Sequence, residues 1–280
     1  MRLEELSVVL TGASGGIGSE LAELLAEDGA QVLLVGRRGA PLAELVESLS
    51  ADARGRVQAL AADVTTTAGR NAIREIAAVR GCNVLINNAA QSCFGRFEES
   101  SAEQIETVLT TNLIAPIQLT LSLLPLLRAQ PQARVLNIGS ATGRLGVPGF
   151  AVYGAGKFGL RGFSEALRRE LADTGVRVQY LGARATRTAF NDAQAVEFSR
   201  QTRAAVDAPE DVAEAAVALL LSGRGEKFLG FPESAAVRLN GLAPSLLDGA
   251  FRSHRTALQR AAPAPKNPTP TTESQHVQVP

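Results

Sequence analysis

The chain has 280 residues, enough to bury a substantial core. Hydrophobic residues at 45% and charged residues at 20% are ordinary for a soluble globular protein, and a formal net charge of zero gives no electrostatic case for nucleic acid or an acidic surface as partner. Two cysteines, Cys82 and Cys93, make no disulfide framework and two histidines make no metal site, so a reduced, cytoplasmic setting is expected. The N-terminal stretch MRLEELSVVLTG is acidic where a secretory leader is basic, and no stretch reads as a membrane span.

The first apolar run, SVVL at 7–10, leads into TGASGGIG, Thr11 to Gly18. Glycines 12, 16 and 18 allow a tight turn and close approach to a pyrophosphate, flanked by Ser14 and Ile17. The helix that follows, 17–28, offers free N–H groups and its positive end to that anion. This glycine loop follows a strand and opens a helix, the context a dinucleotide site requires. The second strand, QVLLVG at 31–36, ends in Arg37 and Arg38. An acidic residue there would accept ribose hydroxyls of NAD, whereas arginine favours the 2′-phosphate of NADP, and residues 31–43 hold no Asp or Glu. A helix at 40–50 precedes the third strand, RVQAL at 56–60, after which Asp63 and Val64 suit the adenine amino group and ring.

A helix at 66–79 and a strand at 83–87, NVLIN, lead into the run NNAA, Asn87 to Ala90. Asn88, Ala89 and Ala90 are small enough for cofactor contact, while the paired Asn side chains can tie neighbouring loops. Asn112 lies in the long apolar helical segment 102–129. A buried Asn there needs partners, so it is either functional or a tie between elements. The fifth strand, 134–139, ends at Ser140. The segment 151–173 carries Tyr153 and Lys157 in YGAGK, four apart and therefore on one helix face. A strand at 176–181, a helix at 208–221, a last short strand within 227–233 and an interrupted amphipathic helix at 234–251 complete the series. Strand–helix alternation with apolar strands predicts an α/β protein with an open parallel sheet covered on both faces. One dinucleotide-binding domain is expected over 1–232, then a lid, interface or membrane-surface helix over 233–260. The Pro/Thr-rich segment 261–280 reads as a disordered tail.

Taken in order, these residues resemble the short-chain dehydrogenase/reductase family. TGASGGIG is similar to its TGxxxGxG loop and NNAA to its NNAG, while Asn112, Ser140, Tyr153 and Lys157 match its catalytic tetrad. The resemblance covers residues 7 to about 230 and implies a Rossmann-type doubly wound sheet. Two departures stand out: Ala90 replaces a glycine, and Gly182-Ala183 occupies the place of the family's Pro-Gly. Thr186 or Thr188 is then the candidate for the nicotinamide carboxamide.

The implied reaction interconverts a carbonyl and a secondary alcohol with NADP(H). A free tyrosine titrates near about 10, and the adjacent Lys157 ammonium together with an oxidised nicotinamide is expected to draw Tyr153 down toward neutrality. Ser140 and Tyr153 would hold the carbonyl oxygen, Lys157 the ribose hydroxyls, and Asn112 a relay water. Substrate contacts are expected from Ser92 and Phe94, then Leu145 and Phe150, which favour a lipophilic ketone, aldehyde or 3-oxoacyl thioester. Segments 102–129 and 151–173 resemble the family's oligomer-forming helices, so a homodimer or homotetramer is expected. The rival class is a non-catalytic NADP-binding sensor or scaffold.

Overall fold

The structure, a computed structural model, describes residues 1–260, and the tail expected over 261–280 lies outside the described residues. Strand β1 (Ser7–Thr11) leads through the glycine loop into α1 (Gly16–Glu27), followed by β2 (Gln31–Gly36), α2 (Gly39–Ser48), the short α3 (Ala51–Arg54) and β3 (Val57–Ala61). Next come α4 (Thr67–Val79), β4 (Val84–Asn87), α5 (Ala102–Leu109), α6 (Ala115–Arg128), β5 (Ala133–Ser140), α7 (Ala151–Glu170) and β6 (Val176–Ala183). The remainder holds β7 (Ala185–Thr186), α8 (Ala193–Thr202), β8 (Val206–Asp207), α9 (Pro209–Ser222), β9 (Glu226–Phe228), α10 (Glu233–Leu242) and α11 (Arg252–Arg260).

Seven strands form one parallel sheet in the order β3-β2-β1-β4-β5-β6-β9, with β7 and β8 paired separately. The order reverses between β1 and β4, which makes the crevice at their carboxyl ends the ligand-binding position of a doubly wound sheet. Both faces are dry. Val8 and Leu10 of β1 pack with Leu21 and Leu25 of α1 and Val212 and Ala216 of α9. Val9, between them, turns to the other face with Ile73 of α4 and Leu119, Leu123 and Leu127 of α6. Burial on both sides is why the strands read as unbroken apolar runs.

Buried polar groups lock the layers. The Asn87 amide donates to Asn137 Oδ1 (2.8 Å) and Thr120 Oγ1 (3.2 Å), and the Asn137 amide donates to Ser164 Oγ (2.7 Å) on α7. Side chains cap the starts of α4 and α5: Thr66 Oγ1 accepts from the Gly69 N–H, and Ser101 Oγ from the Gln104 N–H.

Two sequence expectations need correction. Segment 102–129 is one helix only with a wide π turn at Thr110–Ile114, centred on buried Asn112. Sequence reading also found no stretch of membrane-spanning length, yet Ala102–Arg128 is long and apolar enough to cross a membrane by length and composition (mean hydropathy 1.4). Its Leu119, Leu123 and Leu127 are spent against the sheet instead.

Candidate active site

At the switch point the first and fourth loops are joined by Thr11. Its hydroxyl accepts the N–H groups of Asn88 (3.0 Å) and Ala89 (3.1 Å) and donates to the Ile86 carbonyl (3.3 Å). The Asn88 amide returns two bonds, to the carbonyls of Thr11 (3.1 Å) and Gly12 (3.0 Å). Gly12 sits at φ +65°, and a Cβ on it would collide with the Ala89 backbone. A Cβ on Gly18 would strike the Gly12 carbonyl, so helix α1 can begin this close only with glycine there. The first-turn N–H groups of α1, which begins at Gly16, have no acceptor within the helix. Ser14 lies over Gly36, next to the exposed Arg37 and Arg38 at the end of β2.

Asp63 and Val64 follow β3. Partial burial pushes the Asp63 carboxyl up, but hydrogen bonds from the Thr65 hydroxyl and N–H and the nearby Arg37 charge outweigh it and hold the group below its ordinary range. Both Thr65 bonds land on Oδ1 (2.7 and 2.8 Å). Val64 is buried and shares an apolar hollow with Thr11 and Ala89, and Ala90 is half-buried beside it in sequence. A cradle closed to any Cβ, first-turn amides and two exposed guanidiniums fit a nicotinamide dinucleotide.

At the other end, Ser140, Tyr153 and Lys157 come together. Ser140 Oγ accepts from the Thr142 N–H (3.1 Å) and Thr142 hydroxyl (2.9 Å) and is hydrogen-bonded to the Tyr153 phenol. Lys157 is buried beneath, its Nζ 5.7 Å from the Tyr153 ring centroid and donating to the Ile138 carbonyl (3.0 Å). Gly156 brings α7 against Asn112. The expected lowering of the phenol pKa includes the charge of an oxidised nicotinamide, and the chain by itself shows chiefly the effect of burial. Burial pushes Tyr153 up to about 12, with the Ser140 bond opposing, and burial holds Lys157 down to about 8. A low-dielectric environment disfavours both charged forms.

Asn112, expected to position a relay water, is buried in the π turn. Its Oδ1 accepts the Gln91 N–H (2.7 Å) and its Nδ2 donates to the Gln91 carbonyl (2.8 Å), so the side chain ties the π turn to the loop after β4. Of the two threonine candidates, Thr186 is buried and donates to the Arg184 carbonyl within its own strand region. Thr188 instead packs on Gly16 of the glycine loop.

The approach to Tyr153 is aromatic. Its ring meets Phe150 (6.1 Å between centroids) and Phe190 (6.0 Å), and Phe150 meets Phe94 (5.0 Å). The Gly95 N–H donates to the Gly149 carbonyl (3.0 Å), which holds the two loops carrying those phenylalanines together. Ser92 is half-buried two residues before Phe94. Leu145, expected to contact substrate, packs with Ala141 and Val237 and supports α10.

Sequence reasoning missed Phe198 on α8 and Leu258 on α11, which complete the Phe94 cluster, and His254, which stacks edge-on to Phe198 (5.7 Å). A signal for α8 was present: Asp192 caps it, accepting the Ala195 N–H (2.7 Å), and Ala195 and Phe198 recur at helical spacing.

Fold and site together define a nicotinamide-dinucleotide oxidoreductase. Residues 7–197 match the family model described as short chain dehydrogenase. The chain belongs to that family, whose enzymes act on CH–OH groups. It is 38% identical over 174 residues to the ketoacyl reductase HetN of a Nostoc species, covering 61% of this chain. It is 36% identical over 197 residues to the bovine 17-beta-hydroxysteroid dehydrogenase type 6, covering 69% of this chain. The aligned part spans 60% of the length of each of these two relatives. Among solved structures, a short-chain dehydrogenase from Sphingobium yanoikuyae in complex with NADPH superposes with a TM-score of 0.71 at 29% identity, covering 94% of this chain and all of that one.

Proposed function

We propose that this protein reduces a lipophilic ketone, aldehyde or 3-oxoacyl thioester to the corresponding secondary or primary alcohol, with NADPH as the electron donor. The observation that carries this reading is the Tyr153 phenol, bonded to the Ser140 hydroxyl, with its ring against Phe150 and Phe190 and with Phe94 packed on Phe150. The bound dinucleotide supplies the hydride. Tyr153 and Ser140 donate hydrogen bonds to the carbonyl oxygen, and the Tyr153 proton passes to that oxygen as the alcohol forms. A phenol held protonated at neutral pH suits the reductive direction. Ser140 Oγ accepts from Thr142, which leaves its own proton to donate, to the Tyr153 phenol in the chain by itself and to the carbonyl oxygen once substrate is bound. Lys157, fixed on the Ile138 carbonyl, has further N–H donors for the ribose hydroxyls.

Arg37, Arg38 and Ser14 support NADPH over NADH, as does the NADPH-bound Sphingobium neighbour. The ketoacyl and hydroxysteroid relatives support an apolar carbonyl substrate. Assembly as a homodimer or homotetramer is supported by Ile114, Leu121 and Phe158, exposed on the long helices. A panel of carbonyl compounds, followed by loss of NADPH absorbance, tests the activity. Tyr153→Phe is expected to lower kcat at least about a thousandfold, the scale of general acid catalysis; equal turnover by both proteins rules the mechanism out.

A further inference from the structure

The chain has two tyrosines, and the second has no part in the chemistry described so far. Tyr180 lies on β6, is 1% exposed, and packs at a tilt against Phe228 (5.9 Å between centroids). Its hydroxyl reaches back across the sheet to the end of β5. There it accepts the Ser140 N–H (3.1 Å) and lies at the same distance from the Ser140 carbonyl, to which it donates. The carbonyl of Lys157 stands 3.5 Å from the same oxygen. One buried hydroxyl thus grips the serine's peptide from both sides and touches the backbone of the helix that carries Lys157. The room for it is built in: a Cβ on Gly139 or on Gly143, either side of Ser140, would overlap the Tyr180 ring or hydroxyl.

We propose that Tyr180 is a positioning residue for carbonyl reduction: it fixes the Ser140 backbone, and through it the aim of Ser140 Oγ at the carbonyl oxygen and Tyr153. This rests on the reaction proposed above. The hydroxyl is enclosed, so Tyr180 touches neither substrate nor dinucleotide. Its hydroxyl contacts backbone only, closely at Ser140 (3.1 Å twice) and at the limit of reach at the Lys157 carbonyl (3.5 Å), so its effect falls chiefly on Ser140. Buried peptide groups seldom go unpaired, so removing this one hydroxyl forces the Ser140 peptide to shift toward another partner.

The test is a double-mutant cycle of Tyr180→Phe and Ser140→Ala, with crystal structures of the wild type and Tyr180→Phe in complex with NADPH. Tyr180→Phe is expected to lower kcat roughly tenfold while the NADPH dissociation constant stays within about twofold. In the Ser140→Ala background the same change should cost less than about twofold, and the Tyr180→Phe crystal structure should show the Ser140–Tyr153 bond broken. An unchanged kcat, a full effect in the Ser140→Ala background, or an undisturbed Ser140 in the variant structure overturns the proposal. Should Tyr180→Phe not fold, the wild-type complex decides: a Tyr180 hydroxyl out of reach of the Ser140 N–H refutes it. Failure of the reaction itself is read separately. An inactive wild type, or an active Tyr153→Phe, sinks the reductase reading, while the crystal structures still judge whether Tyr180 places Ser140.

Discussion

Replacing Arg37 and Arg38 together with alanine isolates the origin of the dinucleotide preference. Both guanidiniums are exposed at the carboxyl end of β2, where Ser14 lies over Gly36 and Arg37 is close enough to Asp63 to hold its carboxyl down. A hydrogen bond to a charged group contributes about 1.5–3 kcal/mol in general. Exposure and salt screening reduce a guanidinium–phosphate contact here to about 1–1.5 kcal/mol. The pair then stabilises bound NADPH by about 2–3 kcal/mol, or roughly 30- to 150-fold in Kd. NADH lacks the 2′-phosphate and should lose no more than about threefold on the same arithmetic. Binding is followed by the fluorescence of the reduced nicotinamide, which a chain without tryptophan leaves uncontaminated. Raising salt should weaken NADPH binding by the wild type and leave that of the double variant nearly flat. An unchanged NADPH-to-NADH affinity ratio, or equal losses for both dinucleotides, refutes the reasoning.

Two further outcomes follow from the same site. Gly18→Ala places a methyl group against the Gly12 carbonyl and the Asn88 amide, so dinucleotide binding should fall at least about a hundredfold in calorimetric titration, the scale of a backbone displacement at the phosphate cradle; retained affinity would show that α1 can retreat freely. Lys157 gives a pH signature in the cofactor-free protein. Its folded value is held at about 8 against an ordinary 10.5, so between those values the unfolded chain carries the extra proton and this group favours folding increasingly as pH rises. Below pH 8 it is charged in both states and the full cost of burying an ammonium remains. Lys157→Met should therefore melt above the wild type at pH 7, with the gap closing toward pH 10; a gap constant with pH would show that Lys157 is not desolvated.

Much of the site was legible in the chain because its signals are local. A glycine loop between a strand and a helix, two arginines in place of an acid after β2, and a tyrosine and lysine one helical turn apart are each written within a few consecutive residues. Their order along the chain places them all at the carboxyl edge of the same sheet. What stayed hidden is long-range pairing. Nothing adjacent to Asn112 says that its amide holds Gln91, 21 positions away, or that Lys157 bonds the Ile138 carbonyl. Leu145 and Phe94 look alike as apolar loop residues, and only packing sends one under α10 and the other against Phe150.

The amino-acid order by itself determined the parallel sheet, the glycine loop at its switch point and the pairing of Tyr153 and Lys157 on one face of α7, because backbone geometry and periodicity act over one or two turns of chain. The tertiary structure alone decided the burial of that pair and its aromatic surroundings from α8 and α11. It also decided the use of Tyr180, a residue unremarkable in a strand until folding brings its hydroxyl to Ser140, 40 positions before it. Desolvation and buried hydrogen bonding depend on which distant atoms come together, and a linear reading holds no distances.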